Sequence, residues 1–379
     1  MTSSVTAFIS YPIIAIAIAV VGGRILVLSG TQSSRRVTAA VAALTISALL
    51  REGEVQHFVA KITADTVDVQ LVRQLSTAFL MLTMVPLVAM GARWVFGYRS
   101  ESWGRYIYTA AGVSVALLIV VGANARDSDR YIDISPGRET IIYFAVFSLW
   151  TATMATLYLY VSVRELKRGY LPRRFVLMFV ALGLLSLWGV EETLSIMTSA
   201  IFAGTDHPNA FVHWRVAANE TNMIFILLAA ALYAAVPLTY RLAETIGVDH
   251  WSRSCRKLTP MWRDLTVACP EVLLSGGPVP STSRQRVHRM CIEMRDALSV
   301  LARFNSPSDV GLHLTRSRIS AIAEAIDAKR AGVTPTRFRS FELPSARSLD
   351  GEVDVLRVIA KQWVQARSDK TLMAAEPIN

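Results

Sequence analysis

The sequence predicts an all-α membrane fold, a polytopic bundle of seven transmembrane helices followed by a small soluble C-terminal helical domain. Three observations predict it. Of 379 residues, 53% are hydrophobic and only 18% charged, where an ordinary soluble domain has roughly 45–50% and about 25%. The apolar surplus is concentrated in seven runs before about residue 242, each near the ~20 residues that cross hydrocarbon. Basic residues crowd alternate connections between those runs, the asymmetry that orients membrane helices.

The runs are Phe8 to Leu28, Val37 to His57, Leu71 to Phe96, Tyr106 to Ala123, Thr140 to Val163, Arg174 to Phe202 and Ala217 to Tyr240. The first lacks the basic start and cleavage site of a signal peptide, so it reads as a retained helix. The second is crowded at its far end by Arg51, Glu52, Glu54 and His57. The sixth exceeds what a bilayer needs and should tilt or project.

One set of connections holds Arg35 and Arg36, then Arg99 and Arg105, then Arg164, Lys167, Arg168, Arg173 and Arg174. The other holds Asp65 and Asp68, then Asp127, Asp129 and Asp133, then Asp206. This alternation predicts an outside N-terminus, an inside C-terminus and a multi-pass plasma-membrane location. It also gives the net charge of +10 a topological meaning, so nucleic acid is not an expected partner and the lipid bilayer is.

After about residue 242 the composition turns to mixed charge with Pro, Gly and Ser breaks, which divides the chain into residues 1–242 and 243–379. Three apolar stripes at helical spacing predict helices there: Val287 to Leu301, Ile319 to Ile326 and Val353 to Trp363. Ser283 and Asp350 read as helix starts, and Gly332 with Pro335 as a stop. Ser275 to Thr282 and Arg337 to Leu349 read as loops, while Arg241 to Trp262 is a candidate continuation of the last membrane helix into this domain. Cys255, Cys269 and Cys291 are odd in number and lack a Cys-x-x-Cys spacing, so reduced thiols are expected rather than disulfides or zinc ligands.

The stretch Leu258-Thr259-Pro260-Met261-Trp262-Arg263-Asp264-Leu265, then Pro270-Glu271-Val272, then Arg286-Val287-His288-Arg289 running into Ile292-Glu293-Met294-Arg295-Asp296-Ala297-Leu298, carries a likeness. So does Asp350-Gly351-Glu352 ahead of Trp363. In these residues the chain resembles an actinobacterial family of polytopic membrane proteins catalogued as transporters, with a C-terminal domain of unknown function. His288 and Cys291 depart from the aromatic or aliphatic pattern expected there. The resemblance implies a membrane transporter and supplies no catalytic residues.

Ionisable residues at membrane depth are costly unless paired or hydrated, which makes them candidate ligand contacts. Glu191 and Glu192 lie ~25 Å beyond Arg174 along a helix, at the outer side. Arg51, Glu52 and Glu54 end the second run, Arg73 starts the third, and Arg215 and Glu220 start the seventh, all at that same level. These eight residues form either an outward-facing polar vestibule for a small-molecule ligand or solute, or a set of helix ends neutralising one another among headgroups. Glu191 and Glu192 point about 100° apart, so only one can face a small site. Pro12, Pro86 and Pro237 are either hinges or accommodated kinks.

In the second domain Arg284, Arg286, His288 and Arg289 open an amphipathic helix as a candidate surface for anionic lipid or a cytoplasmic protein partner. The last run has no lysine for a retinal Schiff base, and no phosphate loop or His-Glu-x-x-His pattern occurs. No enzyme activity, metal or cofactor is therefore expected. The sequence points to a transporter of a small solute, with a sensor or scaffold acting through the basic helical domain as the alternative.

Overall fold

A computed structural model of the protein describes residues 6–28, 30–63, 67–97, 102–128, 130–169, 173–274, 282–305, 315–335, 340, 341, 344, 346 and 348–375. Asp65, Arg99 and Asp129, the loop 275–281 and much of the loop 337–348 lie outside the described residues, as does the Arg174 side chain. Among the described residues all regular structure is helical, and the chain divides between Thr239 and Tyr240 into two compact units.

The first unit contains α1 (Ala7–Val27), α2 (Gln32–Arg51), α3 (Gly53–Ile62), α4 (Val69–Phe96), α5 (Gly104–Val121), α6 (Ala123–Asp127), α7 (Arg138–Lys167), α8 (Arg173–Gly204) and most of α9 (Ala210–Thr245). Six helical stretches, beginning at Ala7, Val69, Gly104, Arg138, Phe175 and Ala210, are long and apolar enough to cross a membrane. The expected second span is not among them. Its run is broken at Glu52, whose extended backbone (φ −70°, ψ 127°) separates α2 from α3. The carbonyls freed at the end of α2 are taken by Gln56, whose Nε2 donates to Leu50 at 3.0 Å and Arg51 at 3.4 Å.

Helix α2 is nonetheless deeply packed. Its stripe Ala40, Val41, Leu44, Ser47, Ala48 and Arg51 is buried, and small residues let it approach α4 closely. Ser47 donates to the Ser76 carbonyl at 2.7 Å while Ser76 donates back to the Ser47 carbonyl at 2.8 Å. Pro12, Pro86 and Pro237 all lie inside continuous helices. Arg24, buried in the apolar α1, donates to the Ala234 carbonyl at 2.7 Å, one turn before Pro237.

Among the described residues the two larger apolar clusters of this unit divide its helices, and a small third, Val20, Val41 and Ala234, extends the second. The first joins α4, α5, α7 and α8 through Met81, Leu118, Tyr143, Phe147 and Ile196; the second joins α1, α2 and α9 through Ile14, Leu44, Leu227 and Ala231.

At the end of α5 the Gln74 amide donates to the Gly122 carbonyl at 2.9 Å and accepts from Arg126. A Cβ on Gly122 would lie 2.6 Å from the Gln74 amide group. Gly122→Ala should therefore lower stability by about 1–3 kcal/mol from overpacking, read as a drop in unfolding temperature. Adding Gln74→Ala should recover the overpacking part of that loss; a single variant as stable as the parent would contradict the packing.

The second unit has its own core between α10 (His250–Ala268), α11 (Ser283–Leu301), α12 (Thr315–Arg330) and α13 (Leu349–Ala375). Helix α9 ends at Thr245 before α10 begins: Gly247 has φ +70°, and Asp249 caps α10 by accepting from the Trp251 and Ser252 amides. Thr282 and Gln285 form a reciprocal capping box at the start of α11. Leu258, Met261, Val287, Met294, Ile322 and Leu356 are fully buried where the four helices meet. The Trp363 indole donates to Asp264 at 2.8 Å, and Arg295 pairs with Glu352 at 2.5 Å.

Candidate functional site

The gap between the two apolar clusters is a cavity of about 350 Å³. Helices α2, α4, α7, α8 and α9 all contribute side chains to its lining. Most of its lining is apolar, with Leu44, Met84, Phe147 and Trp188 prominent, but one end is polar. Arg51, Asp133, Glu192, Asn219 and Asn222 line that end.

Arg73 does not itself line the cavity but holds Asp133, which does. The Arg73 guanidinium pairs with Asp133 at 3.4 Å and Glu220 at 3.3 Å and covers the Tyr131 ring at 4.3 Å. Arg215 pairs with Glu192, whose second carboxylate oxygen is buried with no partner. Both pairs join α9 to the other group of helices: Arg73 and Glu192 stand on α4 and α8, Glu220 and Arg215 on α9. Buried charges need such partners because desolvation costs several kcal/mol per ion.

Arg51 is only 8% exposed and has no carboxylate within ion-pair distance among the described residues. One guanidinium nitrogen reaches the Met223 sulfur at 3.9 Å, and its Nε has no partner. Asp133 and Glu220 are near enough to balance its charge electrostatically.

The structure thus brings together Arg51, Arg73, Glu192, Arg215 and Glu220 of the eight residues picked out by sequence. Glu52 is buried beside them at the α2 to α3 break. Glu54 instead accepts from the Tyr11 hydroxyl at 2.7 Å on the outer side of α3, and Glu191 is exposed on α8. Asp133 was counted among loop acids, yet the short helix Ile132–Ile134 folds it inward to Arg73. No local pattern marks that turn. Arg24 was hidden in an apolar run, where a lone arginine was itself the available signal.

In the second unit Arg284, Arg286 and His288 are exposed on α11: Arg284 and His288, four residues apart, share one side, Arg286 points to the opposite side, and Arg284 lies 5.6 Å above the Trp251 ring. Arg289 does not share that freedom. It pairs with Glu293 at 2.8 Å and donates to the Leu274 carbonyl at 2.5 Å. Glu293 is fully buried and also accepts from the Trp262 indole at 2.8 Å and the Leu274 amide at 3.1 Å. The Trp, Arg and Glu of the stretch that carried the family likeness therefore form one folding hub.

Residues 248–368 match a family of unknown function (DUF6545). The DUF6545 segment spans α10 to α12 and most of α13, and its match carries neither a transporter label nor an actinobacterial attribution. No curated protein and no solved structure matches the chain. All three cysteines lie in the DUF6545 segment and are free thiols. Burial pushes the Cys291 thiol up to about 11, with the Glu352 carboxylate adding to the rise. Since the thiolate is the reactive form, an alkylating reagent at pH 8 should modify half-buried Cys255 well before Cys291 or Cys269. Peptide masses would read this order, and equal labelling of all three in the folded protein would contradict it. Among the described residues no cluster of His, Cys, Asp and Glu is placed to hold a metal ion.

Proposed function

We propose that the chain is a seven-span plasma-membrane protein, N-terminus outside and DUF6545 segment in the cytoplasm, that carries a small solute through the cavity between its two helix groups. Helix α2 supplies the seventh span. Its start meets the ends of α1, α4 and α9, since Arg24 donates to the Ser34 and Ala234 carbonyls and Arg36 to that of Ala89. Its end meets Ser76 and Met223 in the opposite halves of α4 and α9. Twenty residues at ~1.5 Å each cover the ~30 Å of hydrocarbon. Because α2 is enclosed by other helices, it need not be apolar on every side. The basic residues Arg24, Arg36, Arg93 and Arg164 share the level assigned to the cytoplasm.

The carrier reading rests on one observation, the ion bridges Arg73–Glu220 and Arg215–Glu192 that join α9 to α4 and α8, with Glu192 itself in the cavity wall. A bridge between groups acts as a gate when its members take a solute's polar groups in place of each other. Separating the groups at these bridges would expose the cavity outward, the rocking motion that carriers use around a central site. The reading assigns no catalytic chemistry.

A sensor or scaffold is the second reading, favoured by the exposed Arg284, Arg286 and His288 of α11, side chains that suit anionic headgroups or an acidic protein. Uptake of a labelled solute panel into proteoliposomes separates the two. The carrier predicts flux that survives Glu191→Gln and is lost in Glu192→Gln. Absence of flux for every solute, together with ligand-dependent protection of α10 to α13 in hydrogen exchange, would replace the carrier by a sensor.

A further inference from the structure

The cavity is long as well as small. Its α2 wall runs from Val37 to Arg51, ~21 Å at ~1.5 Å per residue. Spread over that length, 350 Å³ makes the cavity long and slender. Small-molecule sites usually start near ~300 Å³, so this one has room for one slender molecule.

The long wall is also open sideways. Leu185 and Trp188 of α8 are 60% and 38% exposed, Tyr233 of α9 is 73% exposed, and all three line the cavity. The backbones of α8 and α9 run farther apart than those of α7 and α8 or of α2 and α4. In a bilayer these apolar side chains face acyl chains, not water.

The polar end specifies the head of the ligand. Three cations, Arg51, Arg73 and Arg215, stand against three carboxylates, Asp133, Glu192 and Glu220, with Glu52 buried close by. A further anion would unbalance this set in a medium where charge is costly. At the same end the Arg51 Nε is a buried donor with no partner among the described residues. Buried donors left unmade cost free energy that a ligand acceptor would return.

We infer that the cavity binds a single-chain amphiphile with an uncharged, carbonyl-bearing head, admitted from the bilayer between α8 and α9 and anchored at Arg51. This deepens the carrier reading by naming the class of its cargo, and it rests on the membrane placement proposed above. The chain of the ligand lies along Leu44, Met84 and Trp188, and its carbonyl accepts from Arg51.

The test uses the full-length protein in nanodiscs and bromine quenching of tryptophan, because Trp188 lines the cavity. Dibromostearic acid methyl ester should quench saturably, and Trp188→Phe should remove that component. The free dibrominated acid, and a dibrominated alkane with no head, should each bind at least tenfold more weakly. Arg51→Gln should weaken the ester by a similar factor. The comparison among probes uses the unaltered protein, so it stands even if this variant fails to fold. Equal quenching by ester, acid and alkane would overturn head recognition at Arg51. Displacement of the ester by methyl acetate at a similar concentration would overturn the amphiphile while leaving the carrier reading intact. Saturable ester binding without any uptake would support this inference and remove the carrier instead.

Discussion

Arg73→Ala is expected to cost the folded bundle about 3–5 kcal/mol, the loss typical when one partner of a buried ion pair is removed. Two carboxylates, Asp133 and Glu220, depend on this guanidinium, and all three side chains are almost wholly buried. Left alone they would repel each other in a poorly polarisable interior, and Tyr131 would lose the cation above its ring. Glu220→Gln should cost less, because Arg73 keeps Asp133 and the amide still offers an acceptor. Thermal unfolding of the purified protein in detergent would read both. Equal midpoints for the parent protein and Arg73→Ala would mean that the cluster does not hold the bundle together.

The second large effect is expected at Glu293. Its carboxylate is fully buried and serves three donors, the Trp262 indole, the Leu274 amide and Arg289. In Glu293→Ala, Arg289 can turn to water, as it is about a third exposed already. Leu274 is exposed as well, so the half-buried Trp262 indole is the donor left orphaned, at a cost of about 1–3 kcal/mol. That loss should appear in denaturant unfolding followed by tryptophan fluorescence. Glu293→Gln keeps a carbonyl acceptor and should lose about half as much. A Glu293→Ala protein with an unchanged midpoint would show that the hub is incidental.

Both residues illustrate what a sequence makes visible. Arg73 could be assigned to its level in the bilayer because helix length converts residue number into depth, and the same arithmetic stacked Arg51, Glu192, Arg215 and Glu220 with it. Asp133 escaped, since depth along a helix says nothing about a loop residue that a short turn carries back inside. The choice between Glu191 and Glu192 escaped too, because it depends on the rotation of α8 about its axis. That rotation is set by packing on α7, where Gly189 meets Ala155.

The break at Glu52 is subtler. Arg51-Glu52-Gly53-Glu54 was a visible crowding of charge, but an extended residue between two helices follows from tertiary partners, here Gln56 turning back on the end of α2. In the second unit, apolar periodicity located the core faces of α11, α12 and α13. The helix starts were close: α11 begins at Ser283 as expected, and α13 begins at Leu349, one residue before Asp350. Arg289 looked like its basic neighbours because pairing with Glu293 four residues on is one option among several for a surface arginine.

The most direct test concerns α2, on which seven spans, the outer position of the ion pairs and the cytoplasmic DUF6545 segment all depend. Cysteines placed at exposed Ser33 and Lys61, beyond either end of the buried stripe, would be probed in intact cells with a membrane-impermeant thiol reagent and read by the mass of the labelled peptides. The account predicts that Lys61→Cys labels at once and Ser33→Cys labels only after the membrane is permeabilised. Labelling of both from the outside, or of neither, would contradict it.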